Sequence, residues 1–331
     1  MLTGWDVSVV TDMSYMLYEY GATNTNYNYY GSSSDGARSF NEDVSPWDVS
    51  SVTDMHGAFS NARVFDKNLA AWETSQVTTM VSMFSNAYVF NANLDAWNVG
   101  KVKKMTRMFY YAHKFNSSSI GAWDVGNVQT MQYMFRDAYA FNDPTLAAWE
   151  PSSVTSFYYM FYDATSFNVD VSTWPIAEAN SQCCSSFSSM FYSASAFNQI
   201  LCWDFGDDDS NSNNMFRQTD GGSADSSAAK CACVADEYYN GTACVACAPG
   251  TTSFGKTESC MSCTNTLCPP SPAPTASLPP TTSPAPTIEK KTPINDANFH
   301  EAMNEWFTDE EAAEIKYGRI SGNYVDDSLT H

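Results

Sequence analysis

The amino-acid sequence predicts an α/β repeat architecture, a solenoid of short parallel strands and short helices, extended by a small disulfide-rich module and a helical C-terminal segment. Three observations carry this. Trp47, Trp72, Trp97, Trp123, Trp149 and Trp174 recur every 25 or 26 residues, with Trp5 before them and Trp203 after. Phe-Asn pairs recur in phase at Phe40-Asn41, Phe90-Asn91, Phe115-Asn116, Phe141-Asn142, Phe167-Asn168 and Phe197-Asn198, with Phe65-Asp66 as the variant. Finally, seven of the ten cysteines fall between Cys231 and Cys268.

Residues 1–218 hold about eight such repeats, interrupted at about residues 20–37 by a Tyr/Asn/Gly/Ser-rich insertion that reads as a surface loop. Within one repeat, Met80, Met83, Phe84 and Ala87 follow the i, i+3, i+4, i+7 spacing of one helical face, with Thr78 placed to cap the helix. Leu94, Trp97 and Val99 then follow the L-x-x-L-x-L spacing of a leucine-rich repeat, echoed at Val44/Trp47/Val49, Ile120/Trp123/Val125, Val171/Trp174/Ile176 and Ile200/Trp203/Phe205. That spacing predicts a short strand with alternate side chains inward. No single repeat can bury both its Trp and its Met-Phe face, so stacking on neighbours is obligatory.

These residues resemble a known family, the BspA-type 26-residue repeat of bacterial surface proteins, a relative of leucine-rich repeats. The match runs through Trp47 to Met55 (W-D-V-S-S-V-T-D-M) and through M-x-x-M-F-x-x-A-x-x-F-N at Met80 to Asn91 and Met105 to Asn116, and covers roughly residues 2–216. The resemblance implies secreted or cell-surface scaffolds for adhesion or partner binding, with no catalytic residues attached to the fold. The chain departs from the pattern at Pro151, Pro175 and Cys184.

Residues 219–230 read as a linker and 231–268 as a cysteine-rich module. Its cysteines are Cys231, Cys233, Cys244, Cys247, Cys260, Cys263 and Cys268. The turn-rich text around them resembles EGF-like and ephrin-receptor-like disulfide modules, although Cys244-x-x-Cys247 and Cys260-x-x-Cys263 also have the spacing of a four-thiolate zinc site. Both this set of seven and the outlying Cys183, Cys184 and Cys202 are odd in number, so connectivity stays open. Asn116 and Asn240 head N-glycosylation sequons. Residues 269–293 hold nine of the chain's 14 prolines and read as an extended stalk. Residues 294–331 turn helical: Phe299, Ala302, Met303 and Trp306 share a face, and Thr308-x-x-Glu311 is a capping-box pattern. Ile320-Ser321-Gly322 then matches Leu2-Thr3-Gly4 before Trp5, so this segment is expected to lead into another array, as one piece of a longer gene.

Composition limits the function. With 37 Asp+Glu against 16 Lys+Arg the net charge is −21, which disfavours nucleic acid and anionic lipid as partners. No apolar run reaches the roughly 20 residues of a membrane span, and MLTGWDVSVV has neither the basic nor the apolar stretch of an export signal. No nucleophile elbow or phosphate-binding loop occurs. His300-Glu301-Ala302-Met303-Asn304 lacks the second histidine of a zinc-protease helix, and Asp207 to Ser212 lacks the glycine of a calcium loop. His56 and His113 read as solvated positions on the repeat helices.

One constellation remains. If each Trp points inward, the next residue points out, and Asp48, Glu73, Asn98, Asp124, Glu150, Pro175 and Asp204 form an outward column rich in carboxylates. It would serve as a calcium-dependent or cationic-ligand face, or else each carboxylate satisfies local backbone donors. The expectation overall is an extracellular, non-enzymatic scaffold without a resident cofactor, binding a protein partner. The rivals are a glycan-binding module using Tyr27 to Tyr30 and a structural wall protein.

Overall fold

The computed structural model describes residues 5–17, 35–117, 120–176, 186–201, 203, 214–224, 237–239, 244–246, 251–252, 261–262, 292–308 and 310–317. It divides into two bodies, one of Met1–Leu201, Phe205–Ser223 and Lys291–His331, the other of Cys202–Asp204 and Ala224–Lys290. Asp204, Asn240, the Tyr27 to Tyr30 insertion, the Asp207 to Ser212 stretch, the Pro-rich segment through Lys291, and Ile320 onward lie outside the described residues. So do all the cysteines except Cys244, whose backbone alone is described.

In the first body the repeats pair side by side through parallel backbone bridges, Asp12 to Asp54, Asp54 to Thr79, Thr79 to Lys104 and Lys104 to Thr130. From Thr78 onward alternate amides leave the repeat. Thr78 N–H donates to Thr53 O of the preceding repeat at 2.9 Å, while the amides of Met80, Ser82, Phe84 and Asn86 donate to Lys104, Thr106, Met108 and Tyr110 of the next at 2.7–2.9 Å. The intervening amides close tight turns, Met83 to Met80 O, Ser85 to Ser82 O and Ala87 to Phe84 O, at 3.1–3.3 Å.

This corrects the expected helices. Met80, Met83, Phe84 and Ala87 are fully buried, as their spacing requires. Yet the segment is a run of turns, because Ser82 and Asn86 take left-handed conformations (φ 54° and 60°) that no α-helix admits. Thr78 caps nothing: its Oγ1 donates to Thr53 O at 3.1 Å. The parallel bridging falls at the Thr-Asp-Met positions, and the Leu94 to Val99 segment, expected as the strand, is a turn with Trp97 N–H donating to Leu94 O at 3.1 Å.

Three side-chain columns bind the repeats. The indoles of Trp72, Trp97, Trp123, Trp149 and Trp174 stack with centroids 6.1–6.4 Å apart. Each indole N–H reaches the carbonyl of the residue preceding the previous Trp by three: Trp72 to Val44, Trp97 to Leu69, Trp123 to Leu94, Trp149 to Ile120 and Trp174 to Leu146, at 2.7–3.2 Å. The phenyl rings of Phe65, Phe90, Phe115, Phe141, Phe167 and Phe197 stack at 5.9–6.0 Å. Beside them runs a carboxamide ladder, in which Asp66, Asn91, Asn116, Asn142 and Asn168 each accept the backbone N–H of their counterpart in the next repeat at 2.8–3.0 Å. The Phe-Asn pair thus has a physical reason: one residue stacks inside, the other satisfies an amide at the rim.

A short helix α1 (Asp35–Ser39) precedes Phe40. At the far end of the sequence, α2 (Phe299–Thr308) and α3 (Glu310–Tyr317) pack as a pair in the same body. Phe299, Ala302 and Met303 are buried as the spacing predicts. The Thr308 hydroxyl donates back to Asn304 O and Glu305 O, closing α2, while the Glu311 side chain of the expected capping box lies outside the described residues. Lys316 bridges the pair by donating to Glu301 and Glu305 at 3.0 Å. The second body contains two hairpins, Glu237–Tyr239 with Cys244–Ala246 and Thr251–Thr252 with Met261–Ser262, both antiparallel.

Candidate functional site

The outward column of the Trp segments comes first. Asp48, Glu73, Asn98, Asp124, Glu150 and Pro175 are all exposed, while the Trp before each is buried. Their side-chain oxygens turn back onto their own backbone: Asp48 accepts Ser50 N–H, Glu73 accepts Ser75 N–H, Asn98 accepts Gly100 N–H and Asp124 accepts Gly126 N–H, at 3.0–3.1 Å. Such turns are what short acidic and amide side chains form when the residue two on presents a free amide. The Ser50 bonds hold the Asp48 carboxyl below its ordinary value. Among the described residues no three His, Cys, Asp or Glu side chains converge as metal ligands. Four of the six side chains thus close their own turns.

A second face arises where sequence periodicity had nothing to say. After Tyr15 in the first repeat, each repeat carries two left-handed residues four apart, and in the second and third they are small or amide-bearing: Gly57 and Asn61, then Ser82 and Asn86. In the next three repeats the same positions hold Arg107 and Tyr111, Tyr133 and Asp137, Tyr159 and Asp163, and in the last two they return to Ser189 and Ser193, Asn214 and Gln218. A left-handed conformation costs an L-residue about 1–2 kcal/mol, which Gly avoids and Asn or Asp lessen. The ladder amides hold the backbone in this state: Tyr133 N–H donates to Tyr158 O at 2.9 Å and Asp137 N–H to Tyr162 O at 2.8 Å. Bulky aromatic and cationic side chains consequently stand on a rigid, strained backbone.

They form continuous stacks. Arg107 lies 4.6 Å from the Tyr133 ring, and Tyr133 stacks on Tyr159 at 5.4 Å. In the neighbouring column Arg136 lies within 6 Å of four rings, 5.7 Å from Tyr110, 5.8 Å from Tyr133, 5.5 Å from Tyr159 and 4.5 Å from Tyr162. Tyr162 stacks on Tyr192 at 4.9 Å, and Arg217 closes the row 5.6 Å from Tyr192. Each such cation–π contact contributes about 0.5–1 kcal/mol where exposed and more where desolvated. Arg136 also donates to the buried Asp137 at 3.0 Å. Burial works against the Arg136 charge, but Tyr110 and Asp137 outweigh it and hold its pKa above the ordinary value. Asp137 is pushed up by burial, which its ion pair does not overcome. Burial also raises the Tyr139, Tyr158 and Tyr162 hydroxyls, so the rings remain neutral phenols.

A third column runs Arg63, Tyr88, His113, Tyr139. Arg63 lies 5.0 Å from the Tyr88 ring, and the His113 ring is sandwiched between Tyr88 at 4.6 Å and Tyr139 at 4.7 Å. The solvated role expected for the histidines is thus corrected. His113 is half-buried in a ring stack, and the His56 Nε2 lies 2.8 Å from the Tyr15 hydroxyl. His300 is likewise occupied, its Nε2 2.6 Å from the Ser14 carbonyl oxygen. Four of the chain's six arginines, Arg63, Arg107, Arg136 and Arg217, stand among these tyrosines. Tyr and Arg are the residues over-represented where proteins contact one another.

Asn116 is exposed, and its Oδ1 is used in the carboxamide ladder. Among the described residues no helix is long and apolar enough to cross a membrane. No curated protein and no solved structure matches the chain. A family model does, in four overlapping segments at residues 1–35, 30–143, 90–200 and 115–228, together spanning the repeats. That family is related to the BspA-like repeat proteins. The chain belongs to the family described as Mycoplasma protein of unknown function, DUF285.

Proposed function

We propose that this chain is a non-enzymatic scaffold of solenoid type, displayed outside the cell, that binds a protein partner through its tyrosine and arginine face. The carrying observation is that the left-handed positions hold Gly, Ser and Asn in the second and third repeats and Ser, Asn and Gln in the last two, but Arg, Tyr and Asp in the three between. Backbone geometry there favours the former, so the latter are explained by what their side chains touch. The rings are prearranged by stacking and by Arg136, so a partner would find an aromatic surface that loses little side-chain freedom on contact. The stacked repeats support the solenoid, and the cysteine-dense module followed by a Pro-rich stalk suits an oxidising, extracellular setting.

The test is a titration of immobilised chain against cell-surface protein extract and a glycan array, with Tyr133→Ser/Tyr159→Ser as the control. Saturable capture of protein that drops at least tenfold in the double variant supports the reading. Capture of glycans instead moves the chain to the glycan-binding class. The absence of any saturable partner would return it to a structural role.

A further inference from the structure

The leading edge of the first repeat is closed by a segment from the other end of the sequence. In the second repeat, the carbonyl of the preceding repeat takes two successive amides: Thr11 O accepts Thr53 N–H at 2.8 Å and Asp54 N–H at 3.2 Å. The Thr53 hydroxyl donates to the same carbonyl at 3.2 Å. The first repeat has no predecessor among the described residues, and Asp296 supplies what it lacks. Its Oδ1 accepts Thr11 N–H at 2.6 Å and Asp12 N–H at 3.2 Å, and its Oδ2 accepts the Thr11 hydroxyl at 2.6 Å.

The opposite polarity is matched as well. Tyr15 N–H of the first repeat donates to His56 O of the second at 2.7 Å, and Gly57 N–H to Val81 O and Ser82 N–H to Thr106 O repeat the pattern at 2.8 and 2.9 Å. Ser14 is the first-repeat counterpart of His56, and among the described residues no earlier amide donates to its carbonyl. The imidazole of His300 stands 2.6 Å from it, and since a carbonyl only accepts, Nε2 carries the proton. The ring columns continue too: Tyr317 covers Trp5 at 6.1 Å, Phe299 meets Trp47 edge-on at 6.0 Å, and Trp306 meets Phe40 at 6.0 Å. Residues 292–317 therefore imitate a repeat, with a carboxylate and an imidazole standing for backbone groups. An unpaired strand edge invites another chain, and repeat arrays need such terminal caps.

We infer that this cap recognises the leading edge as such, and that the cap of one copy seats on the first repeat of a second copy. The cap and its receptors are separated by 284–286 residues in sequence, and the stretch between the end of the repeats and Lys291 belongs largely to the other body. Exchange between copies keeps every contact just described, the condition under which swapping costs little. The competing closure within one chain is favoured only by the effective concentration the connection confers, which for short linkers is roughly millimolar and falls as the linker lengthens. The exchanged dimer thus grows with chain concentration and is favoured where copies are crowded together.

The experiment mixes two differently tagged full-length chains at a series of concentrations reaching the millimolar range. They are warmed to the onset of melting, cooled, captured on one tag, and their mass is read by light scattering. Expected are hetero-tagged dimers that rise with concentration and separate on a denaturing gel without reductant. Asp296→Ala/His300→Ala should reduce co-capture at least tenfold, while Asp296→Asn, which keeps an acceptor oxygen, should retain most of it. The inference is overturned if wild-type chains stay monomeric throughout, if the dimer is disulfide-linked, if the double variant dimerises like wild type, or if Asp296→Asn is as defective as the double variant.

Discussion

Gly57 is the residue at which the backbone demands of a repeat are most plainly stated. It sits at φ +63°, and a Cβ there would lie 2.7 Å from two ring atoms of Tyr15. Gly57→Ala should therefore lose about 1–2 kcal/mol for the left-handed conformation alone, with a further loss from displacing Tyr15 off His56. Urea denaturation measures it, and an unchanged midpoint would mean that neither effect operates. The histidines give a second prediction at this scale. Burial lowers the pKa of His113, and burial, partly offset by Asp54, lowers that of His56. A folded pKa below the unfolded value of 6.5 means that the unfolded chain binds the proton first, as pH falls through that value. Stability is then complete above that pH and declines as pH drops toward the folded values. The melting temperature should fall between neutral pH and about pH 5, and His113→Phe should remove part of the slope while preserving the stack between Tyr88 and Tyr139. A slope identical in the variant would sink the assignment to His113.

The carboxamide ladder shows what a repeating element requires. Asn116 accepts Asn142 N–H and in turn donates its own amide to Asn91, each at 2.8 Å. Asn116→Ala leaves the Asn142 amide without its partner and should cost about 0.5–1.5 kcal/mol. Asn116→Asp should be nearly neutral, since Asp66 already fills the equivalent rung with a carboxylate at 2.8 Å from Asn91 N. Equal losses in the two variants, compared by thermal melting, would show that side-chain volume and not the acceptor oxygen matters there. The period of this element was legible in the sequence because Trp, Phe and Met must recur where they are buried. Its conformation was not. Spacing of i, i+3, i+4, i+7 records which side chains share an inside, and a run of tight turns with alternate amides drawn to neighbours satisfies it as well as a helix does. The tyrosine and arginine face escaped for the opposite reason: Gly57, Ser82, Arg107, Tyr133 and Tyr159 occupy one structural position, and a search for recurrence discards a position whose residue keeps changing. The outward placement of Asp48, Glu73, Asn98 and Asp124 followed directly from alternation with Trp, but their engagement by amides two residues on depends on turn geometry that composition does not specify. Likewise the helical face of Phe299, Ala302 and Met303 was visible as a pattern, whereas nothing local to Asp296 or His300 tells that each replaces a backbone group.

At the scale of the whole molecule, charge is the dominant unbalanced quantity. A net charge of −21 spread over a chain with 16 Lys+Arg repels itself in the folded state more than in the expanded one. Surface interactions of this kind are screened over about 10 Å at 0.1 M ionic strength and over about 30 Å at 0.01 M. Raising sodium chloride from the lower to the higher value should therefore raise the melting temperature, and potassium chloride should do the same. The comparison also decides what the outward carboxylates do. If they are committed to turns, as the Ser50, Ser75 and Gly126 amides indicate, calcium at matched ionic strength should shift the melting curve no more than magnesium does. A shift specific to calcium, saturating at low millimolar concentration, would show instead that these side chains leave their own backbone to share a cation. A melting temperature indifferent to salt would mean that local ion pairs such as Arg136 with Asp137, and not the overall field, govern the electrostatics of this protein.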